Sequence, residues 1–275
     1  MSPRRAAWLL TALFAVAVSA SVFRIPIQVS DSAEILEAVD AVNHGQAGNH
    51  PTRYQEYATR PGQRAELRLP DGSRVMLSVD SRIRVAADFG AVGREVSLEG
   101  EAFFDVQHDS AHPFRVRTTR GVVEDLGTEF VVSDYPENRT MWVAVASGYV
   151  GLEQADTTAR RGPTVRLARR DVGVLDSARV EIRRDVDLEP YMGWTAGNLV
   201  FEGVPLGVAL PRIERWYDVD IQLADTSLAM RHFTATLRDA PLEYVLDLLA
   251  LSFELRVERQ GRSILLAPTP KPQRP

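Results

Sequence analysis

The sequence predicts a membrane-anchored, mainly β protein: a two-layered or solenoid-like all-β domain followed by a small α+β domain. Three observations carry this. An uncharged apolar run opens the chain, a period of two recurs through residues 54–184, and an internal repeat offset by 36 residues follows Pro190.

Residues 1–5 form a short stub ending in Arg4 and Arg5, and the run from Ala6 to Phe23 carries no charge. As a helix that run rises about 27 Å at roughly 1.5 Å per residue, enough to cross a hydrocarbon core. Segment 6–23 therefore reads as a transmembrane helix or signal anchor. Arginines lie before it and Asp31, Glu34, Glu37 and Asp40 after it, so the positive-inside bias leaves the stub cytoplasmic and exports the rest. Val18-Ser19-Ala20 offers small residues for cleavage, and a cleaved, exported form is the alternative. Within 24–53, Ile35, Leu36, Val39 and Val42 space a short amphipathic helix, and Gly45–Pro51 breaks it into a linker.

Residues 54–184 alternate polar with apolar side chains. Ala65–Leu69, Arg74–Val79 and Arg82–Val85 read as half-buried strands, and Pro70-Asp71-Gly72-Ser73 as the turn between the first two. Further strand units follow at Glu95–Leu98, Ala102–Val106, Phe114–Thr118, Phe130–Ser133, Met141–Val145, Val150–Leu152, Val165–Leu167 and Val172–Leu175. Such regular spacing without helical period indicates an all-β domain.

Across residues 190–267, Asn198–Leu206 aligns with Thr234–Leu242 and Trp216–Ile221 with Ser252–Val257. Each copy reads strand, helix, strand. Pro205 and Pro241 stand at the helix starts, where a missing N–H costs little. Leu206, Leu210 and Ile213 then line one helical face, and Leu242, Val245, Leu246 and Leu249 another. A duplicated β-α-β unit makes a small α+β domain. Residues 268–275 hold four prolines and read as a disordered tail.

The composition excludes several functions. The formal net charge is -5, which provides no basic footprint for nucleic acid. No cysteine is present, so disulfides, thiolate metal sites and cysteine nucleophiles are all excluded. His108 and His112 flank Asp109 beside Pro113, in a turn rather than on the helix that would aim two imidazoles at one metal. Glu99 and Glu101 share one side of a strand, opposite Leu98, Ala102 and Phe104, and read as solvent-facing polar positions rather than an acid/base pair. No catalytic, cofactor or metal residues are assigned, and the chain is not read as an enzyme.

The strand segments nevertheless resemble a known family. Leu69-Pro-Asp-Gly-Ser73, Arg94-x-Val96-x-Leu98-x-Gly100-Glu101-Ala102-Phe103-Phe104-x-Val106, Pro113-Phe114-x-Val116, Leu126-Gly127-Thr128-x-Phe130-x-Val132 and Val145-x-x-Gly148-x-Val150 occur in order. Together they resemble the periplasmic domain of FecR-type anti-sigma regulators. Trp194-x-x-Gly197-x-Leu199-x-Phe201-x-x-x-Pro205-Leu206 continues into a module similar to the STN fold of secretins and TonB-dependent receptors. The resemblance implies a single-pass inner-membrane protein with its bulk in the periplasm. Its partners would be the N-terminal signalling domain of a TonB-dependent outer-membrane receptor and an extracytoplasmic-function sigma factor. Family members usually grip the sigma factor with a helical cytoplasmic domain. Residues 1–5 cannot bury the roughly 800 Å² per partner of a specific interface, so the sigma-binding domain would be on a separate polypeptide, or the start would lie further upstream, or the chain would be a receptor-side relay without direct sigma contact. Receptor binding is expected by strand addition at Leu199 and Phe201 or at Ile264 and Leu266. The alternative is a structural or binding module of a periplasmic envelope assembly.

Overall fold

The structure, a computed structural model, describes residues 54–155, 164–176 and 179–270. The stub 1–5, the apolar segment 6–23, the helix and linker 24–53 and tail residues 271–275 lie outside the described residues. Among those described, no helix is long and apolar enough to cross a membrane.

Mainly β structure is what the described residues form. Strands β1 (Tyr54–Ala58), β2 (Ala65–Arg68), β3 (Arg74–Leu77), β4 (Arg82–Ala86), β5 (Arg94–Asp105), β6 (Phe114–Arg117) and β7 (Gly121–Asp125) come first. They are followed by β8 (Glu129–Asp134), β9 (Met141–Ser147), β10 (Tyr149–Gln154), β11 (Val165–Ala168), β12 (Val172–Leu175) and β13 (Val180–Arg183). All thirteen belong to one sheet. Its halves meet at β5: residues 94–99 pair with β4 and β6, and residues 100–105 with β3 and β8.

The two units expected at 95–98 and 102–106 are thus one strand, and a single curled, barrel-like sheet replaces the expected two separate layers or solenoid. Gly100 makes the passage from one half to the other. Its φ is +98°, which disfavours any side chain, and a Cβ there would lie 2.7 Å from Cβ and 2.8 Å from Cα of Ser81. Inside the curl, Leu77, Ile83, Phe104, Phe114, Phe130 and Leu152 belong to one core. Alternation places them there: in β4, Ile83 and Val85 are buried while Arg82 and Arg84 are exposed.

The second domain runs α1 (Glu189–Met192), a 3-10 turn (Gly193–Ala196), β14 (Asn198–Pro205), α2 (Leu206–Tyr217) and β15 (Asp220–Leu223). A second 3-10 turn (Thr226–Met230) leads to β16 (His232–Arg238), α3 (Leu242–Phe253), β17 (Leu255–Gln260) and β18 (Ser263–Pro268). The repeat is visible as β14-α2-β15 and β16-α3-β17. Each long helix has twelve residues, a proline N-cap, and a left-handed C-cap whose N–H closes the last turn, Asp218 and Glu254 respectively. The helical faces carrying Leu210, Ile213, Val245 and Leu249 share a second core with Phe233 and Phe253.

Two expectations are corrected here. Ile264 and Leu266 do not stand at a sheet edge: β18 lies between β15, its parallel partner, and β17, its antiparallel one, so its backbone is used on both sides. Pro268, expected in a disordered tail, closes β18 opposite Leu255, and the Thr269 N–H donates to the Glu254 carbonyl at 2.9 Å.

A candidate functional site in the seam between the domains

Leu199, Phe201, Ile264 and Leu266, the residues expected to meet a partner, are all buried in the second core. Their side chains fill their own domain, so a docking protein could meet these strands only through an open backbone edge. The histidines are equally local: in an exposed turn His112 Nδ1 lies 2.9 Å from Asp109 Oδ2, and no group of acidic or histidine side chains suited to a metal occurs among the described residues. A surface cleft on the β domain is lined by Asp71, Phe89, Arg94 and His112. At its floor the Arg94 guanidinium is already engaged, donating to Asp71 Oδ2 at 2.6 Å and to the carbonyls of Gln107 at 2.7 Å and His112 at 3.0 Å. Arg94 is thus held by the protein's own acceptors rather than left free to bind a ligand.

The groups that do converge lie where the second domain covers the outer face of β5 and β8. Glu101 points away from the first core, because Ala102 and Phe104 point into it, yet it is only 6% exposed. Ser133, opposite it on β8, and Tyr135 just beyond that strand are likewise buried. The Tyr135 hydroxyl donates to the Val79 carbonyl at 2.7 Å. From the other side α2 brings Arg212 and Arg215, and the 3-10 turn brings Trp194; with Trp216 they line a small cavity together with Glu101 and Tyr135.

Contacts across the seam are mostly polar. The Gly62 N–H donates to the Arg215 carbonyl at 2.7 Å, and Arg64 Nη1 to the Trp194 carbonyl at 2.7 Å. The Arg64 guanidinium also stacks 4.6 Å from the Trp216 ring centre. Arg215 pairs with Glu137 and lies 3.9 Å over the Tyr135 ring. The Trp142 and Tyr191 rings meet edge to face at 5.1 Å.

Electrostatics within the seam oppose one another. Burial pushes the Glu101 carboxyl up, against the positive charges of Arg212 and Arg215 and a hydrogen bond from Ser133 that favour its ionised form. Burial pulls the Arg212 guanidinium down, and Glu101 is the strongest charge acting the other way. Burial, with the nearby Glu101, also raises the Tyr135 hydroxyl. Arg212 makes only long hydrogen bonds, 3.5 Å to the Val200 carbonyl and 3.4 Å to the Pro190 carbonyl. The Trp194 indole N–H has no partner at hydrogen-bonding geometry, although it lies close enough to favour a charged Glu101.

A curled β domain joined through a charged seam to a duplicated β-α-β module defines a two-domain protein. Comparison with known proteins gives the family. The FecR protein family matches residues 55–151, and the family described as FecR, C-terminal, matches residues 198–266. The chain belongs to the FecR family and is a FecR-type regulator. A crystal structure of a candidate anti-sigma factor from Parabacteroides distasonis is similar at a TM-score of 0.70 with 28% identity, covering 78% of this chain and 100% of that one. A second crystal structure so described, from the same organism, gives 0.70 and 28% over 79% and 100%. No curated protein matches the chain.

The seam was not found from sequence. Glu101 and Trp194 stand inside family motifs, but one sequence does not distinguish an outward carboxylate facing solvent from one facing a neighbouring domain.

Proposed function

We propose that the protein is an anti-sigma-factor-type regulator that acts by binding rather than by chemistry. It carries the occupancy of a TonB-dependent outer-membrane transducer to an extracytoplasmic-function sigma factor, directly or through a separate polypeptide. In this reading it is held in the inner membrane by residues 6–23, with both described domains in the periplasm, and its C-terminal domain is STN-like and meets the transducer's N-terminal signalling domain. The observation that carries the proposal is the occurrence of both FecR-family regions, in order, on a chain similar to a candidate anti-sigma factor over 78% of its length.

Because β18 is paired on both sides, strand addition moves to the two-stranded sheet, in which β14 and β16 each pair only with the other among the described residues. On β16 the middle residues Thr234, Ala235 and Thr236 carry no charge to repel an added strand. Edge strand β17 is guarded by Arg256, Glu258 and Arg259. The test is capture of the purified transducer N-terminal domain by the full chain and by a chain ending before Trp194, with circular dichroism to confirm that the shortened chain keeps its β domain. Binding is expected only with the full chain. Undiminished capture by a folded, shortened chain overturns this assignment of the receptor face.

A further inference from the structure

The seam holds its two domains with groups that are buried but incompletely matched. Glu101 is supplied by the β domain, while the positive charges that favour its ionised form, Arg212 and Arg215, both come from α2 of the other. Arg212 draws its two long hydrogen bonds from its own domain. Trp194 is 1% exposed and its indole N–H has no partner at hydrogen-bonding geometry among the described residues, and these groups line one small cavity. Desolvating such groups offsets much of what their attraction returns, so a half-satisfied buried network contributes little net cohesion. When the domains part, water satisfies every one of these groups at once. Each domain meanwhile keeps a separate apolar core, since the two clusters share no residue.

The connection between the domains suits such a motion. Residues 184–188 join β13 to α1 without regular structure; Arg184 is tied to Asp171, Asp185 to Arg170 and the Val186 N–H to the Arg170 carbonyl, which leaves residues 187–188 as the pivot before α1. On α2, Pro211 stands immediately before Arg212 and interrupts the helical hydrogen bonding of the element that carries both seam arginines.

We infer that the seam is a latch: the Glu101 carboxyl, facing Arg212, Arg215 and Trp194, holds the curled β domain and the duplicated module in a closed arrangement that opens as two rigid bodies about residues 187–188. This is a regulatory device of the chain itself and does not depend on which protein binds the second domain.

The chain has no cysteine and four tryptophans, of which Trp142, Trp194 and Trp216 lie at the seam. Both facts serve the experiment. Spin labels at Ser110→Cys and Ser252→Cys, exposed positions on the two domains, report the distance between them, and tryptophan emission reports hydration of the seam. The parent protein is expected to show one narrow distance. Glu101→Ala and Arg212→Met each add a second, longer distance with red-shifted emission, populated roughly ten-fold more than in the parent, a shift of about 1.4 kcal/mol. The double variant lies closer to the parent than the sum of the single changes predicts. Should either single variant fail to fold, Glu101→Gln, nearly isosteric, is expected to open the seam to a smaller extent. A single parental distance in every folded variant, with only the thermal midpoint lowered, would show Glu101 to be a packing residue and overturn the latch.

Discussion

Gly100 and Glu101 are neighbours in β5 with opposite demands. The glycine is needed because the strand passes between sheet halves at φ +98° while its Cα hydrogen faces Ser81. Gly100→Ala is expected to cost about 3 kcal/mol, combining backbone strain with a forced contact, read as a lower urea midpoint with unchanged slope. Glu101 gives a pH signature. Burial raises its carboxyl above the ordinary value of 4.5, so the folded state holds this proton more tightly than the unfolded one. Stability then falls as pH rises from that ordinary value toward the folded one. Asp125, also raised by burial, contributes in the same direction and is retained in a Glu101→Gln variant. Urea midpoints measured across this window should therefore decline less steeply in Glu101→Gln than in the parent; equal slopes would show that the seam charges cancel the cost of burial. Asp71→Ala has a different basis, leaving the Arg94 guanidinium, 4% exposed, without its counter-charge, and is expected to destabilise by about 3–5 kcal/mol.

The helices show how much of the fold was legible at the scale of elements. Apolar spacing located α2 and α3, and the 36-residue repeat survives in their matching lengths and caps, because burial on one helical face is a local pattern. Strand β7 was not legible: Gly121–Asp125 offers only two adjacent valines, too few to reveal alternation. Its place is set by a short hairpin with β6 and by pairing with β10, about thirty residues on. The candidate site was illegible for a related reason, since Glu101 has the parity of a solvent-facing residue and is buried only by a domain that follows about ninety residues later. Helix faces yield contrasting expectations. Leu249→Ala, in the second core at 0% exposure, should cost about 2–5 kcal/mol, whereas Leu251→Lys, 82% exposed on the same helix, should change stability by no more than about 0.5 kcal/mol. Thermal or urea unfolding of the two variants side by side separates them.

At the scale of the whole molecule, each domain has a core of its own but the β domain also has a second apolar surface. Val79 and Tyr135 are buried yet belong to neither core cluster, because they face the seam, where they line a cavity with Arg212 and Trp216 of the second domain. The isolated domain, residues 54–188, would return these side chains to water along with Glu101. Burial of one such valine is worth about 1.5–3 kcal/mol, so the loss of the covering module should lower the stability of the β domain by several kcal/mol without removing its fold. The expected result is a β-rich circular dichroism spectrum, a lower thermal midpoint than the full chain, and self-association on size exclusion driven by the uncovered face. Val79→Arg in the isolated domain should reverse the self-association, since a charge in that face disfavours apolar contact. In the full chain the same substitution should instead disrupt the seam. An isolated domain that stays monomeric at the full chain's midpoint would mean that the outer face is stable in water and that the module covers it without contributing to its stability.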